Sequence, residues 1–589
     1  MIQKPRLYFA TAAIAATTLA SLLTSSSVLA LQPTATPGLL TPAAARALAD
    51  RAVNPAQLKD YLSFIASDEL QGRDTPSNGL NTAAKFIATN LSRWGFKPAG
   101  DDSTFYQKIP LTRSRVDAAA THAALSGKPL AYPDEFVLSA GRGRGGAPAN
   151  ADVADAPLVY VGQGWVLPQR GTDPYKGIEV RGKVMVVSQL IGQRFPGGPG
   201  LANAVSAQQY GAAHGAVGIA YLSDSADVYS QFRADAVTPR GGFSVAAPSS
   251  ATPRATAQLP SIILSPQASQ QLFTGEKIDS AAAVTPDASG KDAASFDFTA
   301  GKKLAMTVRY TTENVNTQNV VAVWEGSDSA LKNEYVAFGA HYDHLGMSAT
   351  PDANGDTIYN GADDDGSGTT ALLAMADTLH QSPLRPRRSV LFVWHCGEEK
   401  GLWGSSYFTD HPTVPLDHVS AQLNIDMIGR SKKADDTIAA DANLSGPHEI
   451  YVIGSRMMST QLGTLADRVN KGYQNLAFNY VYDDPNDPNR FFYRSDHINY
   501  ARKGVPIIFW FDGVHEDYHR RSDEVAKIDF VKMTAVTRTV FLTMTEIADL
   551  PKKLVVDKAF ALPGGGRSGA PHETESQSTL RLGETLQRD

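Results

Sequence analysis

From Asn319 onward the chain alternates between apolar runs of strand length and helical stretches. The apolar runs fall at 320–324, 335–338, 390–394, 421–425, 450–453 and 505–511. Helical stretches such as 369–379 and 460–471 stand between several of them. Strands separated by helices return in the same direction, so the pattern predicts an α/β fold: a mostly parallel mixed sheet sandwiched by helices. In such a sheet the chemistry lies outside the carboxyl ends of the strands.

Those ends carry unusual residues. The 335–338 run leads into His341, Asp343 and His344, and the 390–394 run into His395, Glu398 and Glu399. The 421–425 run leads into Asp426, and the 505–511 run into Asp512, His515, Glu516, Asp517, Tyr518 and His519. Asp363, Asp364 and Asp365 stand consecutively just before a helix. Singly, each group has a bland reading: an Asp run is a solvated turn or a helix cap, and paired glutamates are usually exposed. Three adjacent carboxylates repel one another, however, and a nearby dication reverses that cost. Their shared position at strand ends points to a metal site. Residues 515–519 also fit H-E-x-x-H, in which two His on one helix face bind a single zinc and the Glu is the base. Here the segment follows a strand and a Gly turn, and no amphipathic helix continues through 520–523. That reading would also leave His341, the Asp run and the Glu pair unused.

Taken together, AHYDHLG (from Ala340), GADDDGSG (361–368), HCGEEKGLWGS (395–405), NIDMIGR (424–430), YRSDH (493–497) and GVHEDYHRRSDE (513–524) resemble the di-zinc aminopeptidase family of metallopeptidases, related to glutamate carboxypeptidase and the transferrin receptor ectodomain. The likeness spans about 319–530 and reaches more weakly to LQGRDTPSNG at 70–79. It implies a zinc-peptidase, phosphorylase/hydrolase-like fold and two zinc ions per chain. His341 and Asp426 would bind one ion, Glu399 and His519 the other, and Asp364 would bridge them. Glu398 would be the general base acting on a hydroxide shared by the ions, Asp343 would orient His341, and Tyr518 would stabilise the oxyanion. Asp496 would support the ligands from behind, His395 would be structural, and His344, His497 and His515 would be nearby polar groups without metal contact. Two Zn²⁺ against three carboxylates and one hydroxide are close to neutral, which a partly buried pocket requires. Each zinc keeps an open position. The implied activity is that of an aminopeptidase on peptides with a free N terminus. A carboxypeptidase or dipeptidase on the same site, or an inactive binding ectodomain, are the alternatives. The substrate pocket wall is expected from 431–447 and 482–493.

The rest of the chain divides by composition. Lys4 and Arg6, an apolar run over 7–23 and small residues at 28–30 give the three-part pattern of a secretory signal peptide over 1–30. No Cys follows the run, so lipoprotein processing is not expected. No later stretch is long and apolar enough to span a membrane. The expectation is export, to the periplasm or beyond. Residues 31–134 read as the N-terminal part of the peptidase domain, helix-rich to about residue 110. Residues 135–295 hold short β-rich runs punctuated by Gly and Pro, without a His/Asp/Glu cluster, and look like the protease-associated domain that often interrupts this family. The main part of the peptidase domain is then 296–556. The Gly-Arg run at 141–146 reads as a loop. The tail, 557–589, has the composition of a disordered segment. One cysteine, Cys396, leaves no intramolecular disulfide, and a formal net charge of −6 argues against a nucleic-acid partner.

Overall fold

The computed structural model describes residues 38–138, 148–188, 204–223, 225–237, 240–245, 258–285, 293–484, 487–558, 560–561 and 567–568. The signal segment 1–30, the Gly-Arg run at 141–146 and nearly all of the tail lie outside the described residues. Among the described residues no helix is long and apolar enough to cross a membrane.

The main sheet is built from β1 (Tyr106–Val116), β2 (Tyr310–Trp324), β3 (Tyr335–His341), β4 (Ser389–His395), β5 (Val419–Ile425), β6 (Glu449–Ile453), β7 (Ala477–Asn479) and β8 (Ile507–Phe511), in the order β7-β6-β8-β5-β3-β4-β2-β1. The four central strands, β8, β5, β3 and β4, run parallel, with His341 level with His395. Both flanks turn antiparallel: β6 against β8, β2 against β4, and β1 against β2. The parallel character therefore resides in the centre. The chain passes from β3 to β4 on one side and then to β5 on the other, which makes β3 the switch point where a crevice opens.

The helices begin where capping chemistry places them. Thr41 and Asn54 cap α1 (Pro42–Ala52) and α2 (Pro55–Ile65), each with Pro in the first turn. Ser77 caps α3 (Asn78–Arg93), which ends at Trp94 before left-handed Gly95. The helix α4 (Gly366–His380) is buried almost throughout, and α5 (Phe530–Asp549) buries most of its length. Leu58, Leu62, Ile65, Leu372, Met375 and Phe541 join β-strand residues such as Phe338 and Phe392 in one core.

Two sequence expectations need correction. Residues 106–116 were expected at the end of a helix-rich region; they form β1, where Ile109 and Leu111 alternate with exposed neighbours, the signature of a half-buried strand. The inserted module is also wider than 135–295. A second, nine-stranded sheet includes His122–Leu125, Lys128–Leu130 and Lys303–Val308 as well as Ala151–Tyr160, Val184–Val187, Gly218–Leu222 and Ser261–Leu264. The module starts where β1 ends and closes where β2 begins, because these two strands pair along their length from Tyr106↔Val320 to Val116↔Tyr310 and carry the chain out and back. Conversely, Gly242–Val245, inside the expected block, pairs with β1 and extends the main sheet.

Candidate metal centre

The carboxyl ends of the parallel strands converge on one buried cluster. His341 is the last residue of β3, and its carbonyl accepts the Thr369 hydroxyl of α4 at 2.7 Å. The three consecutive aspartates do three different things. Asp365 caps α4: one carboxylate oxygen accepts from Gly368 N (2.8 Å) and Met427 N (3.2 Å), the other from His341 N (3.1 Å). Asp363 accepts from Gly429 N at 2.7 Å and faces His515 Nε2 at 3.2 Å. Only Asp364 points both oxygens into the cluster, Oδ1 at 3.2 Å from His341 Nε2 and Oδ2 at 3.2 Å from His519 Nε2. Asp426, just past β5, places Oδ1 3.6 Å from His341 Nε2, and Glu399 places Oε2 3.2 Å from His519 Nε2.

These separations fit metal coordination. Tetrahedral zinc with ligands near 2.1 Å sets its donor atoms about 3.4 Å apart, and the four His–carboxylate distances lie between 3.2 and 3.6 Å. Asp364 Oδ2 is buried with no hydrogen-bond partner, an orphan that an ion would satisfy. Electrostatics agree. Burial opposes charge on His341, yet Asp426, Asp343 and Asp364 raise it well above its ordinary value. Burial likewise opposes charge on His519, and Glu399 and Asp364 raise it well above normal. Burial would raise Asp364, but His341 and His519 hold it well below the usual carboxylate range. The cluster thus holds a place for positive charge. Two other triplets, His341–Asp365–Asp426 and His344–Asp364–Glu399, also bring donor atoms within 4.8 Å of one another. Asp365 is the weaker ligand than Asp364, because backbone N–H groups already occupy both its oxygens. His344 Nδ1 lies 2.8 Å from Glu399 Oε1, the oxygen facing away from the His519 contact, and neither atom forms a hydrogen bond.

The supporting residues differ in part from the sequence reading. The nearer acceptor for His341 Nδ1 is the Asp343 carbonyl (3.1 Å); the Asp343 carboxylate is 3.7 Å away and accepts from Glu398 N at 3.2 Å. Asp496 does not support a ligand: it pairs with His395, whose Nε2 meets the Tyr500 hydroxyl. The residue behind Asp426 is its neighbour Ser495, which donates to Oδ2 at 2.6 Å. His515 and His519 do not share one helix face; 516–519 is a turn, and the two imidazoles address different aspartates.

Glu398 lies 4.0 Å from His341 Nε2 and lines a cleft of about 350 Å³ together with His341, Asp364 and Asp426. Met427, Phe491, Phe509, Phe511 and Val514 form its apolar wall, and Tyr518 and Arg494 its rim, the Arg494 guanidinium 3.4 Å from the Tyr518 hydroxyl. Phe491 comes from the segment expected to shape the pocket. The 431–447 loop does not reach the wall; its Asp441 instead accepts from Glu516 N.

The profile of Peptidase family M28 matches residues 319–544. The chain is 28% identical to "Leucine aminopeptidase 2" of Trichophyton equinum over 314 residues, covering 47% of this chain and 56% of that protein. It is 27% identical to a probable zinc metalloprotease of Leptosphaeria maculans, covering 41% of this chain and 61% of that one. The chain therefore spans little more than half the length of these relatives. The solved aminopeptidase from Aneurinibacillus sp. strain AM-1 shares the fold, with a TM-score of 0.50 and 16% identity over 87% of this chain and 98% of that one.

Proposed function

From the premise that residues 319–544 belong to peptidase family M28, we propose that the chain is an exported zinc aminopeptidase that removes large apolar residues from peptide N termini. The observation that carries this reading is Asp364, one carboxylate with each oxygen 3.2 Å from a different histidine. His341, Asp364 and Asp426 would hold one zinc, and Asp364, Glu399 and His519 the other. Bound there, the ions would supply Lewis-acid polarisation of a carbonyl and acidify water.

The chain's own residues do the rest. Glu398 stands at the cleft wall with its backbone fixed by Asp343, placed to take a proton from water and pass it to the leaving amine. The Tyr518 hydroxyl donates to the carbonyl oxygen as charge develops. Ser495 holds Asp426 in one orientation, as metal-binding carboxylates require. The Phe491–Phe509–Phe511 wall excludes water and accepts an apolar side chain. Glu398, the cleft carboxylate not taken up by zinc, can accept from the substrate's terminal ammonium, which favours an aminopeptidase. Arg494, a cation at the rim, is the one feature that favours a carboxypeptidase or dipeptidase. Export is supported by the pattern of residues 1–30.

The test is a panel of peptides varied at the N-terminal residue, each free and acetylated, run with metal analysis of the same preparation. Leu and Phe should be preferred over Asp and Gly, acetylation should cost roughly 10³-fold or more in kcat/KM, and zinc should approach two per chain. Equal cleavage of free and acetylated peptides would sink the aminopeptidase reading.

A further inference from the structure

Three consecutive residues, Arg73, Asp74 and Thr75, lie far before the first ligand loop in sequence, Arg73 standing 269 positions before Tyr342, yet each grips a different part of the metal centre. Arg73 is fully buried. Its guanidinium donates to the carbonyl oxygens of Tyr342 (3.0 Å), Asn360 (2.7 Å), Gly361 (3.0 Å) and Ile65. Tyr342 sits between His341 and Asp343, and Gly361 opens the turn that presents Asp364. Asp74, 4% exposed, pairs with Lys400 at 2.9 Å, the residue after Glu399. Thr75 Oγ1 accepts from Gly397 N at 3.0 Å, the residue before Glu398. Asp74 also forms an ion pair with Arg240, which comes from the inserted module just before Gly242–Val245 joins the main sheet. Gln71, Gly72 and Arg73 are all left-handed, and a Cβ on Gly72 would stand 2.3 Å from the Gly346 carbonyl oxygen, so the strip is pressed against the loop that follows His344.

We propose that Arg73, Asp74 and Thr75 form a brace that positions the ligand loops and Glu398, and that Arg240 ties the inserted module into it. Only a planar fork of several N–H donors can hold four carbonyls at once, so lysine is no substitute at residue 73. The guanidinium also places a fixed positive charge beside Asp343, Asp364, Asp365 and Asp523. None of the three side chains lines the cleft; they are positioning residues, and the inference rests on the two-metal reading above.

The experiment uses the full holoenzyme and the variants R73K, D74N, R240A and R240K. L465A, a core truncation on the Thr460–Gly472 helix, is the control for simple loss of stability. The readouts are zinc affinity by chelator competition, kcat and KM. R73K should weaken zinc binding by about 10- to 100-fold and lower kcat with little change in KM. D74N and R240A should lower kcat several-fold, and R240K should restore it. L465A should lose thermal stability without losing zinc. Zinc affinity and kcat in R73K and D74N that stay at wild-type values, or fall no further than in L465A at equal loss of Tm, would overturn the brace. Should R73K fail to fold, an R240A enzyme indistinguishable from wild type, or an R240K that rescues nothing, would count against it. Wild-type enzyme binding fewer than two zinc ions would defeat the two-metal reading instead. The brace is then judged on metal-free protein by hydrogen exchange over 341–346 and 360–366, which must quicken in D74N or R73K.

Discussion

The two large sheets among the described residues have nearly the same centre and opposite endings. In the main sheet four parallel strands end at His341, His395, Ile425 before Asp426, and Phe511 before Asp512. In the inserted sheet the end of Ala151–Tyr160, from Leu158, and Val184–Val187, Gly218–Leu222 and Ser261–Leu264 also run parallel, side by side and largely buried. They are followed by Val161, Ser188, Ser223 and Ser265. Among the described residues of the inserted module, the buried polar residues include the hydroxyls Thr121, Ser206, Ser223, Ser265 and Ser269, and the carboxylate side chain of Glu276, buried to a similar degree, is already paired with Lys302 at 3.1 Å. Three of the hydroxyls are satisfied locally: Ser265 accepts from Ala268 N at 3.1 Å, Ser206 from Gln209 N, and Ser223 donates to the Ser225 carbonyl. The main sheet buries carboxylates and imidazoles that cannot satisfy themselves without a cation. A parallel sheet therefore provides a place for a site, and the residues just past its strands decide whether one exists.

The largest expected effect tests that difference at its catalytic end. Replacing Glu398 with Gln keeps shape and removes the base. We expect kcat to fall about 10³-fold while zinc stays near two per chain. Full activity in that variant would remove Glu398 from the mechanism. A smaller effect distinguishes the two sheets by acid. His497, fully buried behind the cleft, stacks on Phe509 and meets the Phe492 carbonyl at 2.8 Å. Burial holds its pKa down to about 4. A histidine depressed in the folded state contributes stability above its unfolded pKa near 6.5 and loses it as pH falls toward 4. The loss is about 3 kcal/mol across that window. Wild type should therefore lose more stability between pH 6.5 and 4 than His497→Gln, followed by urea unfolding. Parallel pH curves for the two proteins would show that His497 is not the titrating group.

Much of this was legible because local rules and global position agree. The strands of the parallel centre show as apolar runs, and the residues after them are chemically conspicuous. Other parts were not legible. Asp363, Asp364 and Asp365 look alike in sequence; which one faces the histidines depends on the turn that leads into α4, and only family resemblance singled out Asp364. Ser495 does not stand out beside Asp496 in sequence, because a hydroxyl carries no signal until a carboxylate oxygen is found 2.6 Å away. Arg73 reads as an ordinary loop cation, since the carbonyls it holds are backbone groups with no sequence identity. The limits of the inserted module are hidden for a related reason: β1 and β2 are paired across some two hundred residues, and no local pattern marks where that ribbon leaves one sheet for the other.

The smallest effect asks whether the inserted sheet's endings are only structural. Ser265 sits where the main sheet would place a ligand, at the end of a buried parallel strand. It caps the Pro266–Phe273 helix. Ser265→Ala removes that one acceptor and should cost about 1 kcal/mol of stability, read as a small drop in Tm, with kcat, KM and zinc content unchanged. A clear fall in kcat at full zinc occupancy would mean that the inserted sheet reports to the metal centre through its strand ends as well as through Arg240. The contrast between a sheet that does chemistry and a sheet that only folds would then have to be given up.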